Sequence, residues 1–97
     1  MEPVASWQPT TPPVSAATFP KIIAENPVAV FHVWAVWNSH ARRVDATLQE
    51  LRSEFGGRIA FYALNADDSE LWDIMRSCKV ENITALIFFV DGAWHET

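Results

Sequence analysis

Side chains able to do chemistry crowd into one stretch of this chain, Asn38-Ser39-His40-Ala41, directly after the apolar run that ends Trp34-Ala35-Val36-Trp37. Asn38 is no nucleophile, and Ala41 carries no functional group. His40 stands where a helix should begin, and the helix dipole disfavours a cation there. It is expected to be an exposed surface residue rather than a catalytic base, or to form a polar contact patch with Asn38 and Ser39. His32 lies inside the apolar run and could be a buried acid/base, but a hydrogen-bonded core histidine is the expectation. A zinc site built from His32, His40 and His95 is disfavoured, because their spacing fits no ligand pattern and His32 should point inward. No metal and no cofactor is expected. Cys78, the single cysteine, could be a one-thiol redox centre or an intermolecular tether. It falls on the apolar stripe of a helix, where a free cysteine behaves as a small, inert hydrophobe.

Composition narrows the partners. Ninety-seven residues, 49% hydrophobic and 20% charged, suit one small domain with a modest core. A net charge of −5 argues against nucleic acid and against an anionic membrane surface, since both would repel it. The longest apolar runs, such as Ala85 to Val90, are too short to span a bilayer. Met1 to Trp7 shows no basic segment followed by an apolar run, so no signal peptide is expected. One cysteine cannot form an intramolecular disulfide, and the expected location is a reducing cytoplasm.

The elements that position these residues follow from pattern. Residues 1–13 hold Pro3, Pro9, Pro12 and Pro13 and are expected to be a tail or edge segment, with Val4 to Trp7 its only strand-like piece; residues 14–97 form the domain. A short helix is predicted from Thr18 to Glu25, capped by Thr18 with Pro20 in its first turn. Val28 to Trp34 is a nearly continuous apolar run, the mark of a strand buried on both faces. Asn38 or Ser39 caps the next helix, in which Val44, Leu48, Leu51 and Phe55 share a face. Gly56-Gly57 is expected to close it in left-handed geometry. Ile59 to Leu64 is a second core strand. Asp67, Asp68 and Ser69 offer caps for a third helix with a Leu71, Ile74, Met75 and Cys78 stripe. Ile83 to Val90 is a third strand, and Asp91-Gly92 a two-residue hairpin turn leading into Ala93 to Thr97. Strand–helix–strand units predict parallel crossovers and the hairpin an antiparallel last pair. The expected fold class is α/β, a mixed sheet with helices on both faces.

From about Pro27 to Thr97 the chain resembles thioredoxin. Val30-Phe31-His32-Val33-Trp34-Ala35-Val36-Trp37 looks like that family's core strand and its Trp-Ala-x-Trp turn. Leu64-Asn65-Ala66-Asp67 is similar to its Leu-Asn-x-Asp strand end. Val80-Glu81-Asn82-Ile83-Thr84-Ala85-Leu86-Ile87-Phe88-Phe89 resembles its Val-x-x-Ile-Pro-Thr-Leu-x-x-Phe segment, and Asp91-Gly92 its hairpin. The resemblance implies a thioredoxin-like fold that lacks a final C-terminal helix. One sheet face would then be short of cover, and an uncovered apolar face marks an interface. Three explanations compete: the chain is cut short of that helix, the proline-rich segment folds across the gap, or a second copy of the chain covers it.

Within this resemblance four chemical positions differ together. The attacking cysteine matches Asn38 and the resolving cysteine matches Ala41. The buried acid beneath the dithiol matches His32. The cis-proline matches Thr84, and a non-proline cis bond costs about 3–4 kcal/mol, so Ile83-Thr84 is expected to be trans. Dithiol–disulfide exchange is therefore expected to be lost. What remains implied is protein or peptide binding at Trp37, Ile83 and Thr84, where extended peptides meet this family through backbone hydrogen bonds. The enzymatic alternative is residual thiol–disulfide oxidoreductase or chaperone-like activity through Cys78. A third possibility is a domain whose surface serves only a homodimer.

Overall fold

A computed structural model describes residues 7–97. Among them four strands form one sheet in the order β2-β1-β3-β4: β1 is Val28–Trp34, β2 is Ala60–Asn65, β3 is Ala85–Val90 and β4 is Ala93–Glu96. The helices are α1 (Phe19–Glu25), α2 (His40–Phe55) and α3 (Trp72–Ser77). The strand-like residues Val4, Ala5 and Ser6 lie outside the described residues.

β1 sits at the centre because its sequence is apolar on both sides. Ala29, Phe31 and Val33 face α1 and α3, in a core with Phe19, Leu64, Leu71, Met75, Ile87 and Phe89. Val30 faces α2, in a second cluster with Leu48 and Phe61. Helices therefore cover both faces of the sheet. β1 pairs parallel to β2, with Ala29 opposite Ala60 and Trp34 opposite Asn65, and antiparallel to β3, with His32 opposite Leu86.

The direction of β3 corrects the expectation of a second parallel crossover. A six-residue strand is about 20 Å long, and the 16 residues of α2, about 24 Å, carry the chain back along that length. The 3₁₀ turn Ser69–Leu71 and the six-residue α3 together cover only about 15 Å. They lead the chain past β1 to its other edge, where it runs in reverse.

Local chemistry sets the element ends. Thr18 precedes α1 without a side-chain cap bond; its hydroxyl instead accepts from the Ser15 N–H at 2.9 Å, while Ser15 Oγ accepts from the Thr18 N–H. Asp68 accepts from the Glu70 N–H and opens the 3₁₀ turn before α3. Asp91 and Gly92 have φ of 52° and 80°, both positive as a type I′ hairpin requires.

Gly56 is a second correction: it is right-handed, with φ −57° and ψ −21°, and Gly57 has no positive φ either. Glycine is needed at position 56 for space rather than handedness. A Cβ there would lie 2.4 Å from the Arg52 carbonyl oxygen, which accepts the Gly56 N–H at 2.8 Å.

The described part of the proline-rich segment runs along the β2 edge. Pro13 bridges Ala63, the Val14 N–H donates to Ala63 O at 2.9 Å, and Pro12 O accepts the Ala63 N–H at 2.7 Å. Thr10 reaches α2, where Asp45 Oδ1 accepts its N–H at 3.0 Å and its hydroxyl at 3.1 Å. This segment therefore lies at the edge of the sheet opposite β3 and β4. On β3 and β4, Leu86 and Phe88 are half-buried, Val90 is exposed, and all four β4 residues are exposed. Trp94 packs beneath the Lys79 ammonium, 5.5 Å from its ring centroid.

Candidate functional site

The end of β1, the start of α2 and the loop before β3 meet at Asn38. After Trp34 the chain turns tightly, with the Asn38 N–H donating to Ala35 O at 3.0 Å. Ser39 occupies the N-cap of α2 without a side-chain bond. Asn38 caps instead: its Oδ1 accepts the His40 N–H at 2.9 Å, satisfying one of the free amides of the helix start. Its Nδ2 donates to Ile83 O at 2.5 Å. One side chain thus ties the helix start to a loop 45 residues away. Ala41 is fully buried against Trp34 and Ala63, while Ser39 and His40 are exposed.

The Ile83-Thr84 peptide bond is cis, which corrects the trans expectation. That expectation weighed a local preference alone, whereas both sides of this bond are held by distant partners. Ile83 O accepts from Asn38, and the Thr84 hydroxyl donates to Val33 O at 2.9 Å.

His32 lies beneath this junction and is wholly buried. Its Nε2 is 3.4 Å from Thr84 Oγ1. Because that hydroxyl gives its proton to Val33 O, it accepts from His32, which fixes the Nε2–H tautomer. Nδ1 has no protein partner. Burial drives the His32 pKa down to about 4, with the nearby Asp45 carboxylate pulling weakly upward. The ring is neutral at pH 7 and serves as a polar core residue.

An acid-stability consequence follows. The unfolded histidine titrates near 6.5 and the folded one near 4. Below pH 6.5 the unfolded chain therefore holds more protons, and stability falls as pH drops through that window. The His32 share of the loss at pH 4.5 is about 2 kcal/mol. Urea unfolding at pH 7.5 and 4.5 should show His32→Gln losing that much less than wild type; parallel losses in the two proteins would remove His32 as the cause.

Sequence reasoning missed Asp45, a buried carboxylate on the second turn of α2 that accepts from Thr10 and from Gln49 Nε2 at 3.2 Å. It sits at a position that periodicity assigns to the helix flank, and its partner is 35 residues away. Trp72 was also missed. Trp37 is 63% exposed and Trp72 53%, and both line a cavity of about 350 Å³ with Ala66, Met75, Val80 and Ile83. Trp37 Nε1 donates to Asp67 Oδ1 at 3.1 Å and Trp72 Nε1 to Ala66 O at 2.9 Å. Each indole is pinned through its polar edge and presents an apolar face.

The other chemical candidates are not gathered here. Cys78 is 3% exposed within the α1/α3 core; burial raises its pKa, with a weaker opposing bond from Ser77, so it is a thiol at neutral pH. His95 is on exposed β4. Among the described residues no group of three His, Cys, Asp or Glu side chains is assembled as for a metal. No helix among them is long and apolar enough to cross a membrane.

The comparisons with known proteins agree with this geometry. Among solved structures, mitochondrial thioredoxin 3 of Saccharomyces cerevisiae, in its oxidised form, superposes with a TM-score of 0.78 at 20% identity, covering 89% of this chain and 79% of that one. Thioredoxin of Trypanosoma brucei brucei gives 0.75 at 22% identity, covering 93% and 78%. The M-type chloroplastic thioredoxin of Brassica napus is 31% identical over 88 residues, 89% of this chain and 48% of that protein. Thioredoxin 1 of Chlorobaculum tepidum is 32% identical over 78 residues, 79% of this chain and 75% of its own length. In the match the chain thus spans less than half the length of its plant relatives. The family model described as Thioredoxin matches residues 10–97. With a thioredoxin-like fold and a matching family model over most of its length, this chain belongs to the thioredoxin family.

Proposed function

We propose that this is a redox-inactive thioredoxin-like module that binds a protein or peptide non-covalently at the surface formed by Trp37, Ile83 and the loop at Thr84. The observation that carries the reading is the pairing of two facts at one place. The start of α2, which we match to the family's dithiol positions, carries an amide and a buried methyl group, and beside it lies an apolar cavity walled by two pinned, exposed indoles. Exposed aromatics in a concave patch are the side chains that anchor partners. The buried, protonated Cys78 offers no thiolate to replace the missing pair.

The test has a chemical arm and a binding arm. With dithiothreitol present, wild type should precipitate insulin no faster than buffer; a rate above buffer that Cys78→Ser abolishes would establish the enzymatic alternative. Peptides selected from a random library on immobilised protein should bind wild type and weaken about tenfold in Trp37→Ala, the loss of about 1.4 kcal/mol at an aromatic anchor. Trp37 is exposed, so the variant should keep its fold. Peptides that bind both proteins equally would place the working surface elsewhere.

A further inference from the structure

The groove offers an occupant unusual terms. Both indole N–H groups are spent on internal acceptors, so the indoles give area but no donors. Its loop carbonyl, Ile83 O, is taken by Asn38 Nδ2, and Asn38 Oδ1 is itself taken by the His40 N–H. A partner backbone pairing at Ile83 would have to share that carbonyl with, or displace, a side chain already bonded at both ends. Strand addition draws on main-chain acceptors, and this one is already half taken.

Charge is equally one-sided. Among the described residues Arg76 is the one cation lining the groove, and it is ion-paired with Asp73. Glu81, also on the rim, is exposed, and Asp67 stands at the Trp37 indole. Lys79, two residues before Glu81, is turned onto the Trp94 ring. The uncompensated charge around the groove is therefore acidic, in a chain whose net charge is −5.

Building on the peptide-binding reading, we propose that the groove takes its partner through a single apolar side chain, seated between Trp37 and Trp72 and carried on a basic segment, without adding the partner's backbone as a strand. The cavity's volume of about 350 Å³ lies at the low end of the range for small ligands and is more than enough for one apolar side chain. Glu81 and Asp67 then select cationic flanks and speed encounter.

Three short synthetic peptides test this by titration calorimetry, with amide shift mapping to locate them. All carry one central Leu; one has Lys flanks, one has Glu flanks, and one has Lys flanks with the amides beside the Leu N-methylated. At low salt the Lys peptide should bind about tenfold tighter than the Glu peptide, as two exposed charge pairs reversing sign would give, and the gap should close at high salt. Glu81→Arg should narrow it without salt, and Trp72→Ala, an exposed site, should weaken the Lys peptide about tenfold. The N-methylated peptide should match its parent. Equal binding of Lys and Glu peptides, or loss on N-methylation, would overturn this inference and leave the peptide-binding reading standing. No binding by any peptide, or shifts confined to other surfaces, would overturn both.

Discussion

Phe31→Ala should destabilise this domain by about 3–5 kcal/mol, the larger part of its stability if that total lies at the low end for a chain of this size. Phe31 has no exposed surface and joins three elements at once. Its ring centroid lies 4.9 Å from Phe19 on α1, 5.7 Å from Phe89 on β3 and 6.1 Å from Tyr62 on β2. Truncation removes the buried ring and leaves a hole between rigid neighbours, a loss of about 3–5 kcal/mol, against a total of about 5–15 kcal/mol for a domain of ordinary stability. Phe31→Leu fills most of that volume and should cost far less. Guanidinium unfolding of the two variants separates the effects. If alanine costs no more than leucine, the aromatic cluster collapses around the hole and is not the keystone of the α1/α3 face.

The double variant Asn38→Cys, Ala41→Cys should form an intramolecular disulfide under mild oxidation with oxidised glutathione, losing both thiol hydrogens, and should reduce insulin where wild type does not. The two positions are one helical turn apart, with the Ala41 N–H donating to Asn38 O at 3.3 Å, a separation a disulfide can bridge. A thiol at position 38 sits at the start of α2, where the dipole favours its thiolate. One at 41 is buried against Trp34 and Ala63 and is shielded until the first sulfur reacts. Losing the Asn38 cap should cost about 1 kcal/mol, within reach of the remaining core. Carrying Cys78→Ser alongside excludes mispairing. A folded protein whose two new thiols stay free would break the positional match to the family's dithiol.

The sequence made the elements legible because their causes are local. The Val44, Leu48, Leu51 and Phe55 spacing marks the inner face of α2, the unbroken apolar run marks β1 as the central strand, and Asp91-Gly92 marks the hairpin. The order of the motifs sets positions 38, 41, 84 and 32 apart as a group, and the structure brings Asn38, His32 and Thr84 to one junction with Ala41 one turn along α2. What stayed hidden is non-local. The Asn38–Ile83 bond spans 45 residues and the Asp45–Thr10 bonds 35, and no window contains both ends. The cis geometry at Ile83-Thr84 belongs to such a junction, so a single-bond preference misjudged it. Gly56 failed for a different reason: its need is room for the Arg52 carbonyl, and composition cannot tell room from handedness. The reversal of β3 depends on how far a short helix reaches, which appears only once its length is known.

The two rims of the sheet have a consequence for how this chain behaves in company. At one rim the segment paired with β2 contains Pro12 and Pro13, which have no N–H to offer a further strand. At the other, β4 is only four residues long, carries His95 and Glu96, and is offset from β3 by a register shift at Phe88/Phe89. A short, charged, irregular rim is a poor template for another chain. Nearly half of this sequence is hydrophobic, yet neither end of its sheet invites the zipping that begins a fibril, so encounters between copies should end in side-chain contact and separation rather than in shared backbone.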